Sequence, residues 1–356
     1  MSVLIKLPDQ GRNAAGGIRD TAPPCLDAGG GLADHPAVAV YTDITDEALE
    51  RFLARYALGR PRAFKGIAEG VENSNFLLET DSGRYILTVY ERRVRREELP
   101  FFLDLMQWLA ARGFPGATPI ADRDGSLLNS LAEKPAAIVA FLPGLSVRRP
   151  SVRHCGEAGE GLAWLHRASE GFGGRRPNDL GQGAWADLYA PHAAAAEALE
   201  RGLAAQIADD LGELARLWPT GLPEGIVHAD FFPDNVFFID DRFAGAIDFY
   251  FAAWDALAYD LAVALNAWCF TKTGVFEPAK SAAMIAGYER RRPLAAAERA
   301  ALPILARGAA MRFFITRLID WGATPQGSLV LPKDPLEYAR KLDAHRRGLG
   351  LTGAAA

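Results

Sequence analysis

His228-Ala229-Asp230-Phe231-Phe232-Pro233-Asp234-Asn235-Val236, with Ile247-Asp248-Phe249-Tyr250 a hairpin's length further on, is the stretch that decides how this chain is read. Moving a phosphoryl group between oxygens asks for one carboxylate that orients an attacking hydroxyl and accepts its proton. It also asks for oxygen ligands that hold Mg2+ against nucleotide phosphates. Asp230, Asn235 and Asp248 supply groups of those types. Taken singly, His228, Asp230 and Asn235 could equally cap turns or helices, as Asp and Asn commonly do in loops.

Three features together favour the chemical reading. Asp230 and Asn235 stand at the offset of a catalytic-loop Asp and its metal-binding Asn in the protein-kinase pattern, and Asp248 precedes a Phe as the second metal-binding Asp does there. The residues between them read as a strand, a tip at Asp240-Asp241 and a second strand. Upstream, the chain divides into a β-rich and a helical part. His228 reads as a structural clamp of the loop, because the hydroxyl-facing role falls on the Asp. Asp260, on the apolar pattern Tyr259-Asp260-Leu261-Ala262, reads as a residue that ties down neighbouring backbone.

Working outward, β signals run over Ala63 to Glu69, Asn75 to Glu79 and Arg84 to Glu91, the last two joined by Asp81-Ser82-Gly83. A short helix over Thr45 to Leu58 precedes them. A helix over Leu99 to Arg112, with Pro100 in its first turn and Gly113 as its stop, follows. Two more strands, Ser126 to Leu131 and Ala136 to Phe141, end at the break Leu142-Pro143-Gly144. Beyond Ser151 long helical patterns dominate: 151–169, 184–199, 204–218, 256–268, 278–291 and 298–321. Only 225–227, 236–239 and 244–247 read as strands there. The expected fold class is α+β: a small lobe with a five-stranded antiparallel sheet and one main helix, joined to a large, mainly helical lobe. We divide the chain into a disordered extension (1–37), a small nucleotide-binding lobe (38–142) and a large catalytic and substrate lobe (143–350).

The 356 residues are 49% apolar and 23% charged, enough for a sizeable core. The net charge of -5, with no dense Lys/Arg stripe, offers no footprint for nucleic acid or an anionic membrane, so a small-molecule partner is expected. Cys25, Cys155 and Cys269 form no Cys-x-x-Cys pair, which argues against a disulfide framework or zinc site and for a cytoplasmic setting. No apolar run of about 18 residues suggests a membrane span.

Beyond the catalytic motif, Val40-Tyr41-Thr42, Glu72-Asn73-Ser74-Asn75, Tyr85-Ile86-Leu87-Thr88-Val89-Tyr90-Glu91, Phe141-Leu142-Pro143-Gly144, Asp255-Ala256-Leu257-Ala258-Tyr259-Asp260 and Leu265-Asn266-Ala267-Trp268-Cys269 carry a resemblance. From Val38 to about Leu349 the chain resembles the protein-kinase-like superfamily of aminoglycoside phosphotransferases and choline kinases, and within it the homoserine kinases of bacterial threonine synthesis. The resemblance implies ATP and Mg2+ as cofactors and L-homoserine as acceptor. It also implies Asp230 as the catalytic residue, Asn235 and Asp248 as metal ligands, a monomer or homodimer, and a family start near Val38 that makes residues 1–37 dispensable.

Asn73, Ser74 and Asn75, in the glycine-containing loop from Gly66, are candidates to close over phosphates, and Phe141 and Leu142 to meet the adenine edge. A zwitterionic amino acid needs a carboxylate near its amino group and cationic or other donors near its carboxylate. Tyr250, Asp255, Asn266, Trp268, Arg312 and Arg317 are the candidates to wall such a pocket, with Trp321 beside them, although Trp268 and Trp321 could equally be core residues and Arg312 and Arg317 a helix face. One departure stands out. Thr88 occupies the position where such folds carry a phosphate-binding Lys, and no Lys lies between Lys65 and Lys134. Arg84 and Lys65 are the nearby cations, and Glu97 and Glu98 the candidates for the usual helix Glu. The rival readings are a choline- or aminoglycoside-type kinase and a catalytically silent kinase-like binding module.

Overall fold

The computed structural model describes residues 42–67, 73–91, 95–323 and 332–351. The expected extension 1–37, residues 68–72 of the glycine-containing loop, and Val40 and Tyr41 lie outside the described residues. Helix α1 (Asp46–Leu53) starts where Thr45 caps it, its hydroxyl accepting from the Ala48 N–H at 3.2 Å, with Asp46 and Glu47 favourable in its first turn. It ends earlier than the sequence pattern suggests, because Tyr56 and Leu58 fold back into the same core as Leu49, Phe52 and Leu53.

Strands β1 (Pro61–Ile67), β2 (Asn73–Thr80) and β3 (Gly83–Tyr90) form an antiparallel meander; helix α2 (Leu99–Ala111) follows, then β4 (Asn129–Leu131) and β5 (Lys134–Ala140). The sheet order is β1-β2-β3-β5-β4, antiparallel throughout. Its register pairs Asn75 with Thr88 and Thr88 with Ala137. Side chains alternate between faces, so Phe76, Leu78, Leu87, Val89 and Ile138 pack with α1, and Asn75, Thr88 and Ala137 share the opposite face. The five strands and the main helix are those expected.

The remainder is mostly helical: α3 (Val152–Ala168), α4 (Trp185–Tyr189), α5 (Ala193–Leu199), α6 (Leu203–Leu217), α7 (Leu257–Trp268), α8 (Pro278–Glu289), α9 (Ala296–Ala323) and α10 (Leu336–Arg346). The single helix expected over 184–199 is broken by a 3-10 turn at Ala190–His192, where Pro191 cannot continue the α-helical ladder. Among the described residues no helix is long and apolar enough to cross a membrane. Between α6 and α7 come β6 (Glu224–Val227), β7 (Val236–Ile239), β8 (Arg242–Ala246) and β9 (Ala253–Ala256), paired β6 with β9 and β7 with β8.

Two close approaches position the site. Leu145, just past the small sheet, exchanges backbone hydrogen bonds of 3.0 Å each way with Phe238 of β7, joining the linker to the hairpin. Gly144 permits this with φ +121, where a Cβ would stand 3.0 Å from the Phe238 carbonyl oxygen. In the second, α3 and α8 pack backbone to backbone: a Cβ on Gly287 would lie 2.0 Å from the Gly156 carbonyl oxygen. Gly287→Ala therefore forces α3 and α8 apart and should cost about 2 kcal/mol or more of stability in urea unfolding. Gly212→Ala, on α6 with nothing within 4 Å of the added carbon, should instead stabilise by about 0.5–1 kcal/mol.

Candidate active site

β6 delivers the chain to His228, which has no exposed surface. Its Nε2 bonds to the Ile247 carbonyl at 3.0 Å, and its Nδ1 accepts the Asp230 N–H at 3.3 Å. Burial drives the ring below its ordinary pKa, which keeps it neutral with the proton on Nε2. His228 thus spans from the Asp230 loop to the residue before Asp248. Asn235 closes the loop: its amide nitrogen donates to the Asp230 carbonyl at 2.9 Å and to the Asp230 carboxylate at 3.0 Å. Its backbone carbonyl accepts the Ile247 N–H at 2.9 Å. Two non-glycine residues here adopt left-handed backbone, Ala229 with φ 60 and Asp248 with φ 66. Such strain persists only where the surroundings fix it, and it concentrates at functional sites.

Asp260, at the start of α7, supplies that fixing force. Its carboxylate accepts the backbone N–H of His228 at 2.6 Å and of Ala229 at 2.9 Å, and His166 Nε2 on α3 at 3.0 Å. Burial acts to raise this carboxyl, but its hydrogen bonds and the facing imidazoles outweigh that and hold it below the ordinary carboxylate range. The chain of contacts continues. His166 Nδ1 meets the Tyr288 hydroxyl at 2.7 Å, Arg292 donates to that hydroxyl at 3.1 Å, and Arg292 pairs with Glu298 at 2.8 Å. His166 carries no motif in the sequence; its place on the buried face of a helix was its one signal.

Asp230, Asn235 and Asp248 offer oxygen atoms only, the donor type that Mg2+ takes. Asp248 is raised above its ordinary pKa by burial and by the nearby Asp230 charge, a penalty that a dication would offset. The donor set therefore fits a hard divalent cation.

On the small sheet, Thr88 donates to Asn75 Oδ1 at 2.8 Å, so the two residues satisfy one another where a lysine would otherwise project. Ser74 lies on the other side of β2, in a cluster with Thr42, Glu91 and Lys134. Asn73 Oδ1 is buried without a partner among the described residues. The Phe141 N–H bonds to the Arg84 carbonyl at 3.2 Å, and the Arg84 guanidinium lies 4.6 Å over the Phe141 ring. Leu142 packs at Gly245, its side chain 3.0 Å from where a Cβ would stand. Lys65 is exposed on β1, in the cross-strand row of Leu77, Ile86 and Val139. Glu98 does have a cation: Arg176, from the segment after α3, at 3.3 Å. Tyr90 and Tyr250 join hydroxyls at 2.9 Å, tying β3 to the Asp248 segment.

The six substrate candidates separate. Trp268 donates its indole N–H to the Phe231 carbonyl at 2.7 Å and so props the catalytic loop, while Tyr250 links the lobes. Asp255, raised by burial, accepts from Asn178 at 2.7 Å on β9. Asn266 bonds to the carbonyls of Ala262 and Ala306 and to His345, joining α7, α9 and α10. Arg317 pairs with Glu337 at 2.7 Å. Arg312 is the one whose guanidinium reaches the loop, donating to the Ala229 carbonyl. Trp321 is 43% exposed at the end of α9. Tyr338, on the unforeseen helix α10, has a buried hydroxyl close enough to feel the charges of Arg317, Asp230 and Arg312.

Comparison with known proteins fits this geometry. A profile of the phosphotransferase enzyme family matches residues 63–294. The homoserine kinase of Caulobacter sp. (strain K31) is 67% identical over 320 residues, 90% of this chain and 100% of that one. The chain belongs to the homoserine kinases of the phosphotransferase enzyme family. The homoserine kinase of Phenylobacterium zucineum (strain HLK1) is 64% identical over 321 residues, 90% of this chain and 99% of its own. Among solved structures, an amicoumacin kinase in complex with AMP-PNP and Ca2+ aligns with a TM-score of 0.61 at 15% identity, covering 85% of this chain and 92% of that one. A putative aminoglycoside phosphotransferase from Ralstonia eutropha JMP134 aligns at 0.64 and 17%, covering 88% and 100%. These structures bear on the fold, which is the kinase-like α+β fold expected.

The Asn266 cluster makes stability depend on pH. Burial, aided by Lys341 and Arg307, pushes the His345 imidazole down to about 3. The unfolded chain takes up that proton below about 6.5, so the stability from a neutral His345 is present above that pH and lost as pH falls. At pH 5 the loss should reach about 2 kcal/mol, and the lowered His228 adds to it in the same direction. Urea titrations at pH 8 and pH 5 should show His345→Gln, which keeps a donor for Asn266, with a smaller difference than wild type. An unchanged difference would mean that His345 is not held neutral.

Proposed function

We propose that this chain transfers the γ-phosphoryl group of ATP to the side-chain hydroxyl of L-homoserine, giving O-phospho-L-homoserine and ADP. The observation that carries the reading is the closed loop in which Asn235 bonds to Asp230 beside Asp248, in a chain so close to homoserine kinases. Asp230 orients the hydroxyl and accepts its proton as the new oxygen–phosphorus bond forms and the bond to the ADP oxygen breaks. Asn235 and Asp248 are the residues that would hold Mg2+, which neutralises charge on the phosphate oxygens when bound. Under this reading Asn235 donates through its nitrogen to Asp230 and presents its side-chain oxygen to the metal.

The sheet lobe, 38–142, takes the nucleotide under this reading, with Phe141 and Leu142 at the adenine edge and Asn73 to Asn75 at the phosphates. The helical part, 143–350, takes the acceptor, and ATP as donor places the reaction in the cytoplasm. The work of the site is positioning and electrostatics.

An ADP-release assay with MgATP and a panel of L-homoserine, L-serine, L-threonine, choline and kanamycin tests the reading. Turnover selective for L-homoserine is expected; turnover selective for another member would keep the site and discard the acceptor. Asp230→Asn should lower kcat by about 100-fold or more with an unchanged thermal midpoint. Near wild-type turnover in that variant would remove Asp230 from its role.

A further inference from the structure

Beside Asp230 the fold buries a cation without giving it a counterion. Arg312, 2% exposed on α9, donates to the Ala229 carbonyl and stands 4.3 Å over the Phe313 ring and 5.4 Å over that of Phe251. Its Nε has no hydrogen-bond partner, and among the described residues no carboxylate lies within ion-pair distance of it. The other deeply buried cations each have one: Arg317 and Lys341 both pair with Glu337 at 2.7 Å. The hydroxyl of Tyr338 on α10 also lacks a partner, and that of Tyr259 on α7 meets Arg312 alone, both on side chains with no exposed surface. Burial raises both phenols; the charge of Arg312 works against that at Tyr259, and at Tyr338 Arg317 does so first, with Glu337, Asp230 and Arg312 also near enough to act. A guanidinium without a counterion and two buried hydroxyls, from three helices, thus lie near the residue proposed to face the acceptor hydroxyl.

A buried charge and buried hydroxyls left unpaired are costly, and a protein retains them where a ligand completes them. We propose that Arg312, with the hydroxyls of Tyr259 and Tyr338, forms the subsite for the α-carboxylate of the acceptor amino acid. The inference rests on the amino-acid acceptor proposed above. Only three carbons separate the carboxylate of L-homoserine from its hydroxyl oxygen, and Arg312 is bonded to the residue preceding Asp230. Binding at Arg312 therefore sets the hydroxyl at Asp230, and an amino alcohol without the carboxylate leaves the donors unpaired.

The test is a cycle between side chain and carboxylate. L-homoserine and 3-aminopropan-1-ol, the same molecule without its carboxylate, are titrated calorimetrically into wild type, Arg312→Gln and Tyr338→Phe, and wild-type turnover of L-homoserine is measured alongside. Wild type should prefer L-homoserine, and Arg312→Gln should reduce that preference by about 10- to 100-fold through weaker binding of L-homoserine. Tyr338→Phe, which removes one oxygen, should reduce it by about 3- to 10-fold and carries the test if Arg312→Gln does not fold. Equal weakening of both ligands would mean a structural role and overturn the subsite. Wild type that neither binds nor phosphorylates L-homoserine would instead overturn the acceptor assignment.

Discussion

Asp260 holds two consecutive backbone N–H groups, those of His228 and Ala229, with a carboxylate that has no exposed surface. A buried carboxylate is tolerable only when its lone pairs are filled, and His166 fills the remaining demand from α3. The two N–H groups belong to consecutive peptides, so fixing them fixes His228 between them; the bonds of the Asp230 N–H to His228 and of Arg312 to the Ala229 carbonyl hold the next peptide, with Ala229 left-handed between. The Asp230 carboxylate then projects where His228 and Asn235 hold it. The geometry of the Asp230–Asn235 loop, and with it the metal and acceptor placement proposed above, rests on that buried contact.

The same logic extends in both directions. Toward the core, His166 reaches α8 through Tyr288, which the glycine contact between α3 and α8 brings within range. Toward the small sheet, the Tyr90 and Tyr250 hydroxyls join β3 to the segment carrying Asp248, and Arg176, from the segment after α3, meets Glu98 just before α2. Fixed donors and acceptors thus join the sheet to the Asp248 segment, where kinase-like folds usually place a Lys–Glu pair on the small lobe. Thr88, bonded to Asn75, is consistent with that exchange.

Much of this was legible in the sequence because it rests on local rules. The offset of Asp230 and Asn235, the Asp81-Ser82-Gly83 turn and the period-two patterns of β2 and β3 are each written in a short window. What was not legible depends on distant partners. Helix α10 has a polar sequence, yet Lys341 and Tyr338 are buried on it because Glu337 pairs with both Lys341 and Arg317. Strand β9 is four residues running straight into α7, and its pairing with β6 is what makes it a strand. Asp255, Asn266 and Arg317 look like pocket residues by type, but Asn178, His345 and Glu337 engage them within the fold, and no single-sequence pattern names those partners.

The most direct measurement is kcat for Asp260→Asn under saturating MgATP and L-homoserine, with circular dichroism confirming the fold. A neutral amide presents one oxygen and an NH2 to three donors, so the loop loses its anchor while Asp230, Asn235 and Asp248 remain chemically intact. The account predicts a fall in kcat of about 10- to 100-fold in folded protein. A folded Asp260→Asn enzyme with kcat within about twofold of wild type would contradict it, because the catalytic loop would then hold its geometry without the buried carboxylate.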